Sequence, residues 1–173
     1  MTLDPLKAAV VLFVAVIIQV SVLPSYAPLA SNADIVLVTL LALALLRGSV
    51  FGAVAGFVAG FLLDTAHLGT LGFTSLLLTL AGFWIGRYGE TTARDRFHAP
   101  FTSVGVVTVL YAFSALALLF VLGSPAPARA VFDSLPAAVL LNLLLTLPVY
   151  ALVRRLFPPA DMSDRVREVR LLG

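Results

Sequence analysis

"RGSVFGAVAGFVAGFLLDTAHLG", residues 47–69, places glycine at every fourth position, Gly48, Gly52, Gly56 and Gly60, and carries the same phase on to Asp64. A helical glycine costs about 1 kcal/mol against alanine in water. Four of them on one face mark a surface that another backbone must approach. Hydrocarbon gives two helices no hydrophobic reason to associate, and small residues at four-residue steps let their backbones touch instead. Each step advances about 40° on a 3.6-residue helix, so the stripe winds slowly and suits a right-handed crossing. Ala55 and Ala59 widen it, and a second pair, Gly82 and Gly86, brackets Trp84. The stripe is either an internal packing seam for neighbouring segments or a seam for another membrane protein.

The rest of the chain supplies the hydrocarbon. Of 173 residues, 61% are apolar and 12% charged, against roughly 25% charged in a soluble domain. An all-α integral membrane protein follows. Charges and loop formers divide the chain into six apolar segments, about 6–23, 33–46, 48–63, 70–86, 101–122 and 132–153. The first, fifth and sixth meet the roughly 20-residue requirement for crossing ~30 Å of hydrocarbon. The second and third are short, the third reaching only ~24 Å at 1.5 Å per residue. They are read as two short spans, accommodated by local thinning or snorkelling, with a re-entrant hairpin as the alternative.

Six spans with the N-terminus inside put Lys7, Arg47, Arg87, Arg94, Arg96, Arg154, Arg155, Arg165, Arg167 and Arg170 on the inner face and Arg129 alone outside. That split places both termini in the cytoplasm under the positive-inside rule. The first segment lacks a small-residue cleavage site and is expected to be retained as a span. Cysteine is absent, which excludes disulfides and thiolate metal sites. The basic excess sits where anionic lipid would attract it and is no argument for nucleic acid.

Residues 1–157 are expected to form one six-span membrane domain and residues 158–173 a cytoplasmic basic tail, with 163–172 a short surface helix. Asp4 and Pro5 suit a helix start. Ser31 or Asn32 is expected to cap the second helix, with Asp34 in its first turn, where a negative charge suits the dipole. Pro136 is expected near the start of the last span and a kink around Pro148.

Catalytic chemistry needs convergent nucleophiles, acids or ligands. The two histidines, His67 and His98, fall on opposite sides of the membrane in this topology, and no paired carboxylates stand at helical spacing inside a span. No enzyme, cofactor or metal site is expected. The span interiors carry neutral polar groups, among them Gln19, Thr39, Ser75, Thr79, Thr108, Ser114, Asn142 and Thr146. Gln19 and Asn142 read as interhelical hydrogen-bonding partners, with a neutral pocket for a small molecule as the alternative. Asp64 ends the third span where the helix dipole is negative and an acid is disfavoured. Either His67 one turn on, or the unpaired N–H groups of residues 69–72 at the start of the next helix, must compensate it. Asp34, Asp64 and His67 thus form an outer polar lock, serving the local fold or a partner contact.

With those residues in view, "ADIVLVTLLALALLRGSVFGAVAGFVAGFLLDTAHLGTLGFTSLLLTLAGFWIG", residues 33–86, resembles the central region of the rod-shape-determining protein MreD family. The shared pattern is an acid or amide opening a short second span, a basic turn, a glycine-patterned third span ending in Leu-Asp, and Leu-Gly before the fourth. Ala33 departs from it, since members often carry proline there. The resemblance implies a non-enzymatic inner-membrane scaffold of the bacterial cell-elongation machinery, without a cofactor. It would bind the bitopic protein MreC and, indirectly, the MreB filament and the RodA–penicillin-binding-protein synthase. It also implies a fold similar to the substrate-capture subunits of energy-coupling-factor transporters, which supplies a second reading: vitamin capture. Those subunits dock through an Ala-x-x-x-Ala pair in the first span. Here that span has alanine only at 8, 9 and 15, which weighs against transport.

Overall fold

The computed structural model describes residues 3–22, 33–67, 71–91, 99–123 and 128–157. They form six helices and no strand: α1 (Leu3–Ile17, continuing through a π-helical turn at Ile18–Val22), α2 (Ile35–Arg47), α3 (Ser49–Ala66), α4 (Phe73–Thr91), α5 (Ala99–Val121) and α6 (Ala128–Leu156). Three stretches, Ser49–Ala66, Pro100–Val121 and Val131–Leu156, are long and apolar enough to cross a membrane. Pro5–Ser21 and Ile35–Arg47 are apolar but shorter.

The architecture is organised around α2, which touches all five other helices. Its sequence, IVLVTLLALALLR, is apolar on every side, and a helix of that kind is stable only when surrounded. Val36, Leu37, Leu40, Leu41, Leu43 and Ala44 have no exposed surface. At 13 residues α2 is about 20 Å long, so a spanning bundle contains it with length to spare. Its start meets Asn142, near the middle of α6. Its end meets the end of α6, where the Arg47 guanidinium lies 5.5 Å over the centre of the Phe157 ring.

A single residue separates α2 from α3. Gly48 has φ 98° and ψ −177°, a region open essentially to glycine alone, and there the chain folds back sharply. Gly48 is therefore the turn itself, whereas the sequence reading made it the first rung of the helical stripe. Three boundaries also move. The third helix runs 18 residues to Ala66 instead of stopping at Leu63, so Asp64 lies inside its last turn. The fourth continues past Gly86 to Thr91, which brings Gly89 and Glu90 into play. The last helix starts at Ala128 and runs through both Pro136 and Pro148, so Pro136 is interior.

Successive helices run in opposite directions. Pro5 and Arg47 line one groove, Glu90 meets Ser49, and Arg47 meets Phe157. The start of α1 and the ends of α2, α4 and α6 therefore share one end of the bundle, with Lys7, Arg47, Arg87, Arg154 and Arg155. Arg129 starts α6 at the other end. His98, the 163–172 segment and the proposed caps Ser31 and Asn32 lie outside the described residues.

Candidate functional site

The glycine stripe of α3 lies against α4, and the fit is backbone to backbone. A β-carbon on Gly52 would collide with the Gly82 carbonyl oxygen, and one on Gly82 with the Gly52 carbonyl oxygen. One on Gly56 would strike the Leu78 carbonyl and stand 2.6 Å from its carbon. Gly60 faces the Ser75 backbone, Gly86 the Gly48 carbonyl, and Gly89 lies 2.8 Å by the same construction from the Leu45 oxygen of α2. Close approach lets polar groups reach across: the Ser75 hydroxyl donates to the Phe57 carbonyl at 3.2 Å. This face of α3 is filled by the chain itself.

At each end of the seam, a carboxylate from the end of one helix caps the start of the other. Asp64 is buried, 4% exposed, and accepts hydrogen bonds from the backbone N–H groups of Gly72 (2.8 Å), Thr74 (3.0 Å) and Ser75 (3.3 Å). Those are the orphan donors of the first turn of α4, and the positive end of its dipole offsets the unfavourable dipole of α3. Of the two compensations open to the sequence reading, the structure places Asp64 on the N–H groups. His67 turns to its own helix, donating from Nδ1 to the Leu63 carbonyl at 3.0 Å. At the opposite end Glu90 Oε1 accepts from the Ser49 N–H at 2.7 Å and the Ser49 hydroxyl at 2.9 Å. These bonds hold its carboxyl below the ordinary carboxylate range, and Arg87, 3.4 Å from Oε2, adds to the effect. Sequence reasoning missed Glu90. The available signal was symmetry: an antiparallel pair with an acid ending one helix needs the same service at its other end.

The third cluster explains the polar residues of the span interiors. Asp34, expected in the first turn of α2, is instead its N-cap, and its Oδ1 accepts from the Leu37 N–H at 2.9 Å. The Asp34 N–H donates to Asn142 Oδ1 at 2.8 Å, and the Val36 N–H to Gln19 Oε1 at 2.8 Å. Asn142 Nδ2 in turn donates to Thr108 Oγ1 at 3.1 Å. An unpaired backbone donor in hydrocarbon costs several kcal/mol. A helix that begins inside the bundle therefore needs acceptors from its neighbours. Gln19 and Asn142 are the interhelical hydrogen-bonding partners expected from the sequence, and each gives its side-chain oxygen to the backbone of the short helix's start. Asp34 and Asp64 cap different helix starts, while His67 lies within electrostatic reach of Asp34 and Tyr111 within reach of both carboxylates.

Beyond the start of α2, between α5 and α6, lies a cavity of about 230 Å³. Asp34, Thr108 and Asn142 are its polar floor, and Leu119, Val131 and Leu135 lie toward the end that carries Arg129. Its walls are apolar apart from Ser134 and Tyr111. Among the described residues no group of three or more His, Asp or Glu converges as metal ligands do. The arrangement offers a shaped, mostly apolar recess with a few acceptors at its base, which is chemistry for recognition.

Comparison with curated proteins and with solved structures returned no match. A family model does match, that of the rod shape-determining protein MreD, over residues 5–157. This range runs from the start of α1 to the Phe157 contact with Arg47 and takes in all three capped helix starts. The chain is thus a member of the MreD family of rod shape-determining membrane proteins.

Proposed function

We propose that this protein is a non-enzymatic scaffold of the cell-elongation machinery in the bacterial cytoplasmic membrane, with both termini cytoplasmic, and that it binds a bitopic MreC-like partner. Through that partner it joins the MreB filament and the RodA–penicillin-binding-protein synthase. Residues 1–157 form the membrane domain and 158–173 a basic cytoplasmic tail. The observation that carries the scaffold reading is the use of the carboxylates. Asp34, Asp64 and Glu90 are each committed to backbone N–H groups of helix starts, which leaves them to fix geometry. The basic residues gathered at one end of the bundle support the orientation by the positive-inside rule.

Because α4 fills the glycine seam, we place the partner contact at the cavity between α5 and α6, at the end away from the basic residues. A segment of the partner just outside its own span would reach it, with apolar side chains on the walls and a donor on the Thr108 oxygen. Mild detergent extraction should co-purify a bitopic protein, and Ala138→Trp, which fills the cavity, should abolish that recovery while leaving the apparent melting temperature close to wild type. The same recess is what a small-molecule capture subunit would use. Recovery of a vitamin together with an ATPase module would replace the scaffold reading with that one.

A further inference from the structure

The polar groups around the recess between α5 and α6 are not equally free. Asp34 Oδ1 receives the Leu37 N–H, and the Gln19 side chain also donates to its carboxylate. The Ser134 hydroxyl donates to the Val131 carbonyl at 3.1 Å, and Tyr111 is hydrogen-bonded to Thr74. Asn142 Oδ1 holds the Asp34 N–H. Two donors are left over. The Asn142 amide has two protons on Nδ2 and gives one to Thr108 Oγ1. Thr65, Thr79, Thr91 and Thr146 each turn their own hydroxyl onto the carbonyl four residues earlier, but Thr108 does not. Its proton and the second Asn142 N–H have no acceptor among the described residues. Both side chains line the recess, with 5% and 1% of their surface exposed.

A buried donor without an acceptor costs free energy until one arrives, so the recess calls for an acceptor oxygen. Charge narrows its class. An anion there would face the Asp34 carboxylate on the same floor, where a low dielectric strengthens the repulsion. A cation would face the two unused donors. Water satisfies donors and gains nothing from the apolar walls. An uncharged carbonyl carried on an apolar segment answers both demands. Resting on the partner site proposed above, we infer that the bitopic partner inserts an amide group, its carbonyl oxygen taking the Asn142 N–H and the Thr108 O–H. The Thr108 oxygen keeps a lone pair, which receives an N–H of the same segment in return.

The test uses the full chain and the bitopic MreC-like protein of the same organism, each purified in mild detergent, with affinity read by microscale thermophoresis. Thr108→Val keeps the shape and removes the hydroxyl; it should weaken binding about five-fold, the worth of one hydrogen bond, and Thr108→Ser should restore it. Ser134→Ala loses a hydroxyl already given to its own helix and should bind as wild type does. A second measurement leaves the recess unaltered. Asparagine occurs only at positions 32 and 142, so isotopic labelling of asparagine in Asn32→Ser protein leaves one side-chain amide pair, and one Asn142 proton should move downfield in the nuclear magnetic resonance spectrum when the partner is added. If Ala138→Trp bound the partner as wild type does, the partner's placement and the amide assignment would both fall. If Ala138→Trp lost the partner while Thr108→Val kept full affinity, or if the Asn142 protons stayed in place on binding, the placement would stand and the amide assignment alone would be overturned.

Discussion

Replacing Gly56 by alanine adds one methyl group at the middle of the α3–α4 seam, and the structure fixes what that group meets. Its carbon would strike the Leu78 carbonyl, 2.6 Å from the carbonyl carbon, where ordinary contact begins at 3.4 Å. The partner is backbone and cannot rotate away. The two helices must therefore separate by at least about 0.8 Å. A gap of that size forfeits a quarter to a half of each van der Waals well it opens, here along the contacts of Gly52 with Gly82 and Gly60 with Ser75. It also stretches the Asp64 bonds to Gly72 and Thr74. Overpacking of this kind costs about 1–3 kcal/mol, against roughly 1 kcal/mol regained from helix propensity. The net expectation is destabilisation by up to about 2 kcal/mol. Gly105 in α5 supplies the control, because a β-carbon there would meet only the Leu143 Cδ2 atom at 3.8 Å. Gly105→Ala keeps the propensity gain without the collision and should raise the apparent melting temperature. Thermal unfolding in one detergent, followed by far-ultraviolet circular dichroism, compares them. If Gly56→Ala were as stable as Gly105→Ala, the seam would not be close-packed and the account of the stripe would fail.

Asp64→Ala strands three N–H groups at the start of α4 and should cost about 1–2 kcal/mol, the upper range for losing a cap, whereas Asp64→Asn, still an acceptor, should lose less; the same melts read both. Glu90 ties stability to acid: its folded pKa lies below the ordinary 4.5, so its contribution is complete above about pH 4.5 and is lost as pH falls through the lower, folded value. Melting temperatures from pH 7 to pH 3 should show a fall in wild type that is smaller in Glu90→Gln; equal slopes would remove Glu90 from the cap. Asn142→Leu leaves the Asp34 N–H without its acceptor and should destabilise by about 1 kcal/mol or more, with faster hydrogen exchange at Asp34 as the site-specific sign.

Much of this architecture was legible in one dimension because the bilayer imposes simple demands. Six apolar segments, their alternation and the gathering of arginines at one end follow from hydropathy and charge, which act on each residue separately. The glycine stripe was legible for the same reason: a missing side chain every fourth residue has few uses in lipid. What the sequence left open was which surface met which. Whether Gly52 and Gly56 faced α4 or another protein depends on the relative placement of two helices, and that was decided only when α3 folded back at Gly48 and α4 returned along it. The roles of Gln19, Asn142 and Glu90 were hidden more deeply, since each serves a backbone N–H remote in sequence. A backbone donor leaves no mark in the amino-acid code. On sequence the shortness of α2 points to local thinning, snorkelling or a re-entrant hairpin; only the tertiary structure, by setting Asn142 and Gln19 level with its beginning, determined that it needs acceptors there and which side chains supply them.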